Sequence, residues 1–208
     1  MCMGASQCAW GQVDAEMVTI MGRNALSVDD YLTAIKYFNQ AIDAKPFLSR
    51  PYYYRAFAKF TLEDYLGAEA DCSKSIELNP FIAEVYQLRG LCRIHNVNYK
   101  GAIEDYSRSL KEHPDDQGAR YNRALCYLQN KEYANADIDL DYLLKRWPNY
   151  YRAYMIKAQS LLEQKDTTQS MVWIDSLLVK NPKEGNAWSF KGKYAINKQA
   201  VSYTHLRA

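Results

Sequence analysis

Apolar residues recur every three to four positions along most of the chain, the period of a helix that buries one face. The stretch NYKGAIEDYSRSLKEHP, residues 98–114, shows the pattern: Tyr99, Ala102, Tyr106 and Leu110 share a face, and a proline ends the run. The same skeleton stands thirty-four residues earlier and thirty-four later. Two helices fit in each period, divided near Asp30, Asp64, Asn98, Glu132 and Asp166. These residues are suited to cap the free N–H groups of a second helix and to meet its dipole.

Period 34 runs through five copies in several parallel rows. Pro46, Pro80, Pro114, Pro148 and Pro182 form one row, and Ala34, Ala68, Ala102, Ala136 and Ser170 another. Gly22, Ala56, Gly90, Ala124, Ala158 and Gly192 are all small, so paired helices can approach closely. Tyr31, Tyr65, Tyr99 and Tyr133 form an aromatic row broken by Thr167. Tyr52, Tyr86, Tyr154 and Trp188 form a second, with Val18 and Arg120 as departures. A helix pair cannot bury its apolar faces alone, so successive copies must stack.

The third copy, with Tyr86, Gly90, Tyr99, Ala102, Tyr106, Ser109 and Pro114, resembles the tetratricopeptide repeat in its order of aromatic, small and proline positions. Five copies follow from that resemblance, at residues 15–48, 49–82, 83–116, 117–150 and 151–184, with the first helix of a partial sixth at 185–200. The fifth departs most, carrying Thr167 and Ser170. The implied fold is an all-α, right-handed α-solenoid of antiparallel helix pairs. The implied function is a non-enzymatic protein–protein interaction scaffold. In this family the first helices line a concave groove that takes a peptide or partner helix. The matching positions are Tyr53 and Phe57, Gln87 and Leu91, Tyr121 and Leu125, and Met155 and Gln159, with Arg50, Glu84 and Arg152 one turn earlier at the rim. Members of each pair are four apart and share a helix face. Packing between repeats is the alternative role for Tyr53, Phe57, Leu91 and Leu125. Some members clamp the acidic C-terminal tail of chaperones with lysines and asparagines. Tyr53, Phe57, Gln87, Leu91 and Tyr121 occupy those positions here and only Asn122 agrees, so no such tail is expected and no prepared site for an anionic peptide end is seen.

Composition narrows the picture further. A chain of 208 residues, 48% hydrophobic and 24% charged, can bury a sizeable core. Its net charge of +2 suggests neither nucleic acid nor an anionic membrane as partner. No apolar run approaches a membrane span. Arg55, Arg89 and Arg123 recur sixteen residues before Asp71, Asp105 and Asp139. A pair copied three times reads as a structural tie between helices, here expected to be exposed and to contribute under about 1 kcal/mol each.

Chemistry is sparsely represented. There is no phosphate loop, nucleophile elbow or Cys-x-x-Cys, and His95, His113 and His205 are scattered, so neither metal nor cofactor is expected. Cys92 and His95 lie three apart and could touch, but Cys126 in the same row has Gln129 at the histidine position. Cys92 therefore reads as a small core residue. The alternative to a free-standing scaffold is a recruiting module of a longer enzyme whose catalytic domain lies outside this sequence. Self-association through an open C-terminal end is a third possibility.

The ends break the pattern. Ala9, Trp10 and Gly11 before Gln12 resemble a signal-peptide cleavage site without the basic and long apolar regions. Residues 1–11 are expected to be a truncated signal peptide of an exported, periplasmic bacterial protein; the alternative is a cytoplasmic start. Gln7 before Cys8 spoils a lipoprotein cleavage box, and Cys72, Cys92 and Cys126 imply no disulfide framework. Residues 201–208, VSYTHLRA, put Val201 and Thr204 in the aromatic and alanine rows and resemble a sequencing-adapter reading frame, so a non-native tail is expected there.

Overall fold

In the computed structural model, which describes residues 14–194, every regular element is a helix. In chain order these are α1 (Ala15–Ser27), α2 (Tyr31–Ala44), α3 (Ser49–Thr61), α4 (Tyr65–Leu78), α5 (Ala83–His95), α6 (Tyr99–Glu112), α7 (Gln117–Gln129), α8 (Tyr133–Arg146), α9 (Tyr151–Glu163) and α10 (Thr167–Lys180). α11 occupies residues 185–194. The chain is an all-α solenoid of helix pairs. The segments read as a signal-peptide remnant (1–11) and an adapter-like tail (201–208) lie outside the described residues. Among those residues no helix is long and apolar enough to cross a membrane.

The chain divides into two compact units, Met1–His113 and Pro114–Ala208. In the first, each helix from α1 to α5 packs on the next in sequence, and the first helices of neighbouring pairs, α1 with α3 and α3 with α5, also touch. Its core is built from small clusters, such as Ala25, Ala34 and Phe38, or Ala56, Ala68, Cys72, Val85, Leu88 and Cys92. In the second unit α7 to α10 pack in the same succession around Leu140, Leu143, Tyr154, Ile174 and Leu177, and Ala187 of α11 joins that core.

Each turn within a pair is made the same way. Asp29, Glu63, Val97, Lys131 and Lys165 take left-handed backbone with φ of 59–65°. The next residue's N–H then reaches back five positions to a carbonyl of the finished helix, at 2.7–2.9 Å, as in Asn98 to Arg93. This closes the first helix with a Schellman motif, yet no glycine serves at the left-handed position. Asp30, Asp64, Asn98 and Asp166 follow it and accept through their side chains from backbone N–H groups three residues on, at 2.9–3.1 Å. Glu132 departs from the expected capping: its carboxylate accepts from the Asn130 and Asn135 side chains instead. A β-branched residue suits left-handed backbone least. Val97→Gly is therefore expected to raise the unfolding free energy by about 0.5–1 kcal/mol, the relief of left-handed strain less the unfolded-state entropy of glycine. A urea titration followed by circular dichroism checks this, and a loss of stability would refute it.

Between pairs, Lys45, Asn79, His113, Trp147 and Asn181 leave the helical region, with ψ of 78–100°, as a following proline favours. The second aromatic row supplies a donor to that turn. Tyr52, Tyr86 and Tyr154 hydroxyls donate to the carbonyls of Pro46, Pro80 and Pro148 at 3.2, 3.2 and 2.9 Å, and Trp188 Nε1 donates to Pro182 at 2.9 Å. Arg120, a departure in sequence, makes the same bond to Pro114 through Nη2 at 2.6 Å. The row conserves a donor six residues past proline.

The arginine–aspartate ties are buried, contrary to the exposed pairs expected from charge alone. Asp71, Asp105 and Asp139 are 5%, 2% and 1% exposed. Each holds two cations: Asp71 takes Arg55 and Lys59, Asp105 takes Arg89 and Arg93, and Asp139 takes Arg120 and Arg123, at 2.6–3.0 Å. Arg55 and Arg89 also donate through Nη1 to Asn39 and Ser73 of the preceding pair, at 2.7 and 3.2 Å. One guanidinium therefore bonds two successive helix pairs. In the fifth copy Trp173 replaces the aspartate, and the buried Lys157 turns back to Asp137 and Asp141 of α8 at 3.2 and 2.9 Å.

Candidate functional site

The first helices carry the eight positions singled out by sequence. In the N-terminal unit, Tyr53 is half-buried on the Ala56–Cys72–Val85 cluster, with its ring 5.3 Å from that of Tyr54. Burial, and then the Glu84 carboxylate, push its phenol above the usual tyrosine range, so it stays a neutral donor. Phe57, four residues on, is 42% exposed. Gln87 reaches across to α6, where its Nε2 donates to the fully buried Ser109 Oγ at 2.8 Å. Leu91 is half-buried. Of these four, Tyr53 lines a cavity of about 320 Å³, together with Arg23, Arg50, Tyr54, Ile82 and Glu84.

In the C-terminal unit, Tyr121 packs edge-to-face on Tyr150 with centroids 5.6 Å apart. Burial and then Tyr150 raise its phenol, while Arg152 opposes them. Met155 is half-buried on the same core, Leu125 is half-buried, and Gln159 is exposed. Tyr121, Met155 and Gln159 come together on a cavity of about 360 Å³, with Arg152, Asn186 and Phe190 opposite or beside them. Leu125 does not line it.

A larger cavity, about 490 Å³, lies where sequence reading did not look. Glu16, Thr19, Ile20 and Arg23 of α1 face Arg50 and Tyr54 of α3 across it. Thr19 and Arg23 stand thirty-four residues before Tyr53 and Phe57. Extending those two rows back by one copy would have found both. The rim residues Arg50, Glu84 and Arg152 all line cavities. These three cavities are formed only by first helices and the residues leading into them.

The groups with most chemical potential are otherwise engaged. Cys92 is fully buried beside Cys72, whose thiol is pushed far up by a hydrogen bond with Cys92 and by burial. Burial alone pushes the Cys126 thiol up to about 12. The Cys72 and Cys126 thiols therefore hold their protons at neutral pH and are poor nucleophiles. His95 is exposed and stacks on Tyr65 with centroids 4.0 Å apart, so it does not serve Cys92. Among the described residues no group of His, Cys, Asp or Glu is placed to hold a metal ion.

Residues 96–136 and 139–185 match the tetratricopeptide repeat family. No curated protein sequence matches the chain. Its fold is similar to that of YrrB, described as a TPR protein with an unusual peptide-binding site, with a TM-score of 0.82 and 15% identity over 86% of this chain and 92% of that one. MamA from Desulfovibrio magneticus RS-1 is similar over 82% of this chain and 97% of its own, with a TM-score of 0.76 and 15% identity. The first TPR of Spaghetti (RPAP3), bound to the HSP90 peptide SRMEEVD, is 26% identical over 56% of this chain and 93% of its own, with a TM-score of 0.55.

Proposed function

Because the chain belongs to the tetratricopeptide repeat family, we propose that it is a non-enzymatic scaffold that takes a peptide or partner segment along its first helices. The observation that carries this reading is the confinement of the three larger cavities to first-helix residues, with aromatic floors and charged rims, in each unit separately. Aromatic and aliphatic anchors beside polar edges suit side chains of an extended or helical segment. The peptide-binding descriptions of YrrB and of the RPAP3 domain support the same use of the fold.

Selection of a random displayed-peptide library on the whole chain tests it. Peptides enriched on the native protein should lose at least half of their enrichment on Phe57→Ser and Gln159→Lys variants, both at exposed positions. They should keep it on Leu66→Ser, which alters a side chain that is 73% exposed on a second helix. Equal enrichment on all variants, or loss confined to Leu66→Ser, would remove the first-helix face from consideration.

A further inference from the structure

Two of the cavities meet in the N-terminal unit and share Arg23, Arg50 and Tyr54. Glu16 and Ile20 lie on one side of the shared residues, and Tyr53, Ile82 and Glu84 on the other. Together they form a trough across α1, α3 and the start of α5, with the two arginines at its middle and one carboxylate towards each end.

The state of those arginines sets them apart. Seven of the ten described arginines hold a carboxylate at 2.6–3.9 Å. Among the described residues Arg23, Arg50 and Arg152 hold none, and all three line cavities. Glu16 and Glu84 border the same trough without forming an ion pair to either arginine. Arg23 rests over the Tyr54 ring, 5.4 Å from its centroid. The planar fork of a guanidinium matches a carboxylate, and two such groups favour an anion at the position they share.

Resting on the scaffold reading above, we propose that this trough receives an extended peptide segment through an internal Asp or Glu side chain seated between Arg23 and Arg50. The choice of a side chain over a chain end follows from the cavities. Space continues on both sides of the arginine pair, with apolar walls at Ile20 on one side and Ile82 on the other, so the segment passes through. Glu16 and Glu84 then favour basic residues flanking the acidic one. The lysine–asparagine clamp positions of the family are not used; the anion site lies on different residues.

Fluorescence anisotropy with amidated heptapeptide pools tests this on the whole chain. One pool has a central Glu, one a central Gln, and one a central Gln with a free C-terminal carboxylate; other positions are mixed apolar and basic. The central-Glu pool should bind about tenfold more tightly than the central-Gln pool, the size of one charge-assisted hydrogen bond. That advantage should shrink as salt rises, and fall below about twofold in an Arg23→Gln, Arg50→Gln double variant. Both side chains are exposed and hold no carboxylate, so the double variant should melt with the native protein. Equal binding of the Glu and Gln pools, or tighter binding of the free-carboxylate pool, overturns the assignment. So does failure of every pool to bind. None of these outcomes touches the scaffold reading, which the library selection judges at Phe57 and Gln159, outside the trough.

Discussion

Asp105→Ala is expected to lower the unfolding free energy by about 2–3 kcal/mol, the cost of removing a buried carboxylate that two arginines share. Arg89 reaches Asp105 through Nε and Nη2, at 3.0 and 2.6 Å, and Arg93 through Nη1 at 2.9 Å. Asp105 is 2% exposed, whereas the Arg89 and Arg93 side chains keep 16% and 18% of their surfaces in solvent. Burial pushes its carboxyl above the usual range against the pull of Arg89 and Arg93. Desolvation thus offsets much of the attraction, and the intact group adds little net stability while its breakage is severe. Ser73 keeps its bond to Arg89 Nη1 in the variant, which holds the loss below that of a wholly isolated charge. A urea titration followed by far-ultraviolet circular dichroism measures the difference. Lys191→Ala serves as the comparison. Lys191 meets Asp175 at 2.7 Å in an exposed pair, whose removal should cost under about 1 kcal/mol. A similar small loss at Asp105 would show that the buried ties behave like surface ones.

That contrast marks where the sequence stopped being informative. Period 34 exposed the helix pairs because each row answers to a local demand: a small residue at a crossing, a cap, a proline at a reset. Spacing alone paired Arg89 with Asp105 correctly, but charge type says nothing about depth, and polarity suggested the surface. The burial comes from packing, since the aspartate sits on the second helix beneath two long side chains that roof it. Arg120 looked like a break in an aromatic row because side-chain class was the criterion. The function of the row is donation to a proline carbonyl, which Tyr, Trp and Arg share. The left-handed residues were illegible for the opposite reason: Asp29, Glu63, Val97, Lys131 and Lys165 have no side-chain property in common, and the backbone supplies the motif. Among the groove positions, Gln87 was assigned by register, while its bond to Ser109 depends on a serine twenty-two residues away. Arg23 was missed because the rows were started one copy late.

Small-to-large change at a helix crossing gives the second large effect. Gly22 lies under Phe38, and a Cβ added there would stand 2.8 Å from Cδ1 and Cζ of the ring, and closer still to Cε1. Phe38 is fully buried, so the ring has nowhere to go without moving α2. Overlap of this depth belongs at the upper end of the roughly 1–3 kcal/mol that overpacking costs. Alanine returns up to about 1 kcal/mol in helix propensity, so Gly22→Ala should lose about 2 kcal/mol. The other copies show what the site tolerates. Gly90 faces Tyr106 in the same relation, whereas Ala124 and Ala158 stand sixteen residues before Leu140 and Ile174. Glycine therefore accompanies a ring, and alanine a smaller side chain. Gly22→Ala combined with Phe38→Leu recreates the pairing of Ala124 with Leu140, both fully buried in the second unit. The double variant should be at least about 1 kcal/mol more stable than the sum of the two single losses allows, which a double-mutant cycle reads directly. Gly192→Ala, with nothing within 4 Å of the added carbon, should lose nothing. Strict additivity of the Gly22 and Phe38 changes would mean that the crossing distance is set elsewhere, and that the small row owes its size to helix spacing rather than to the ring it faces.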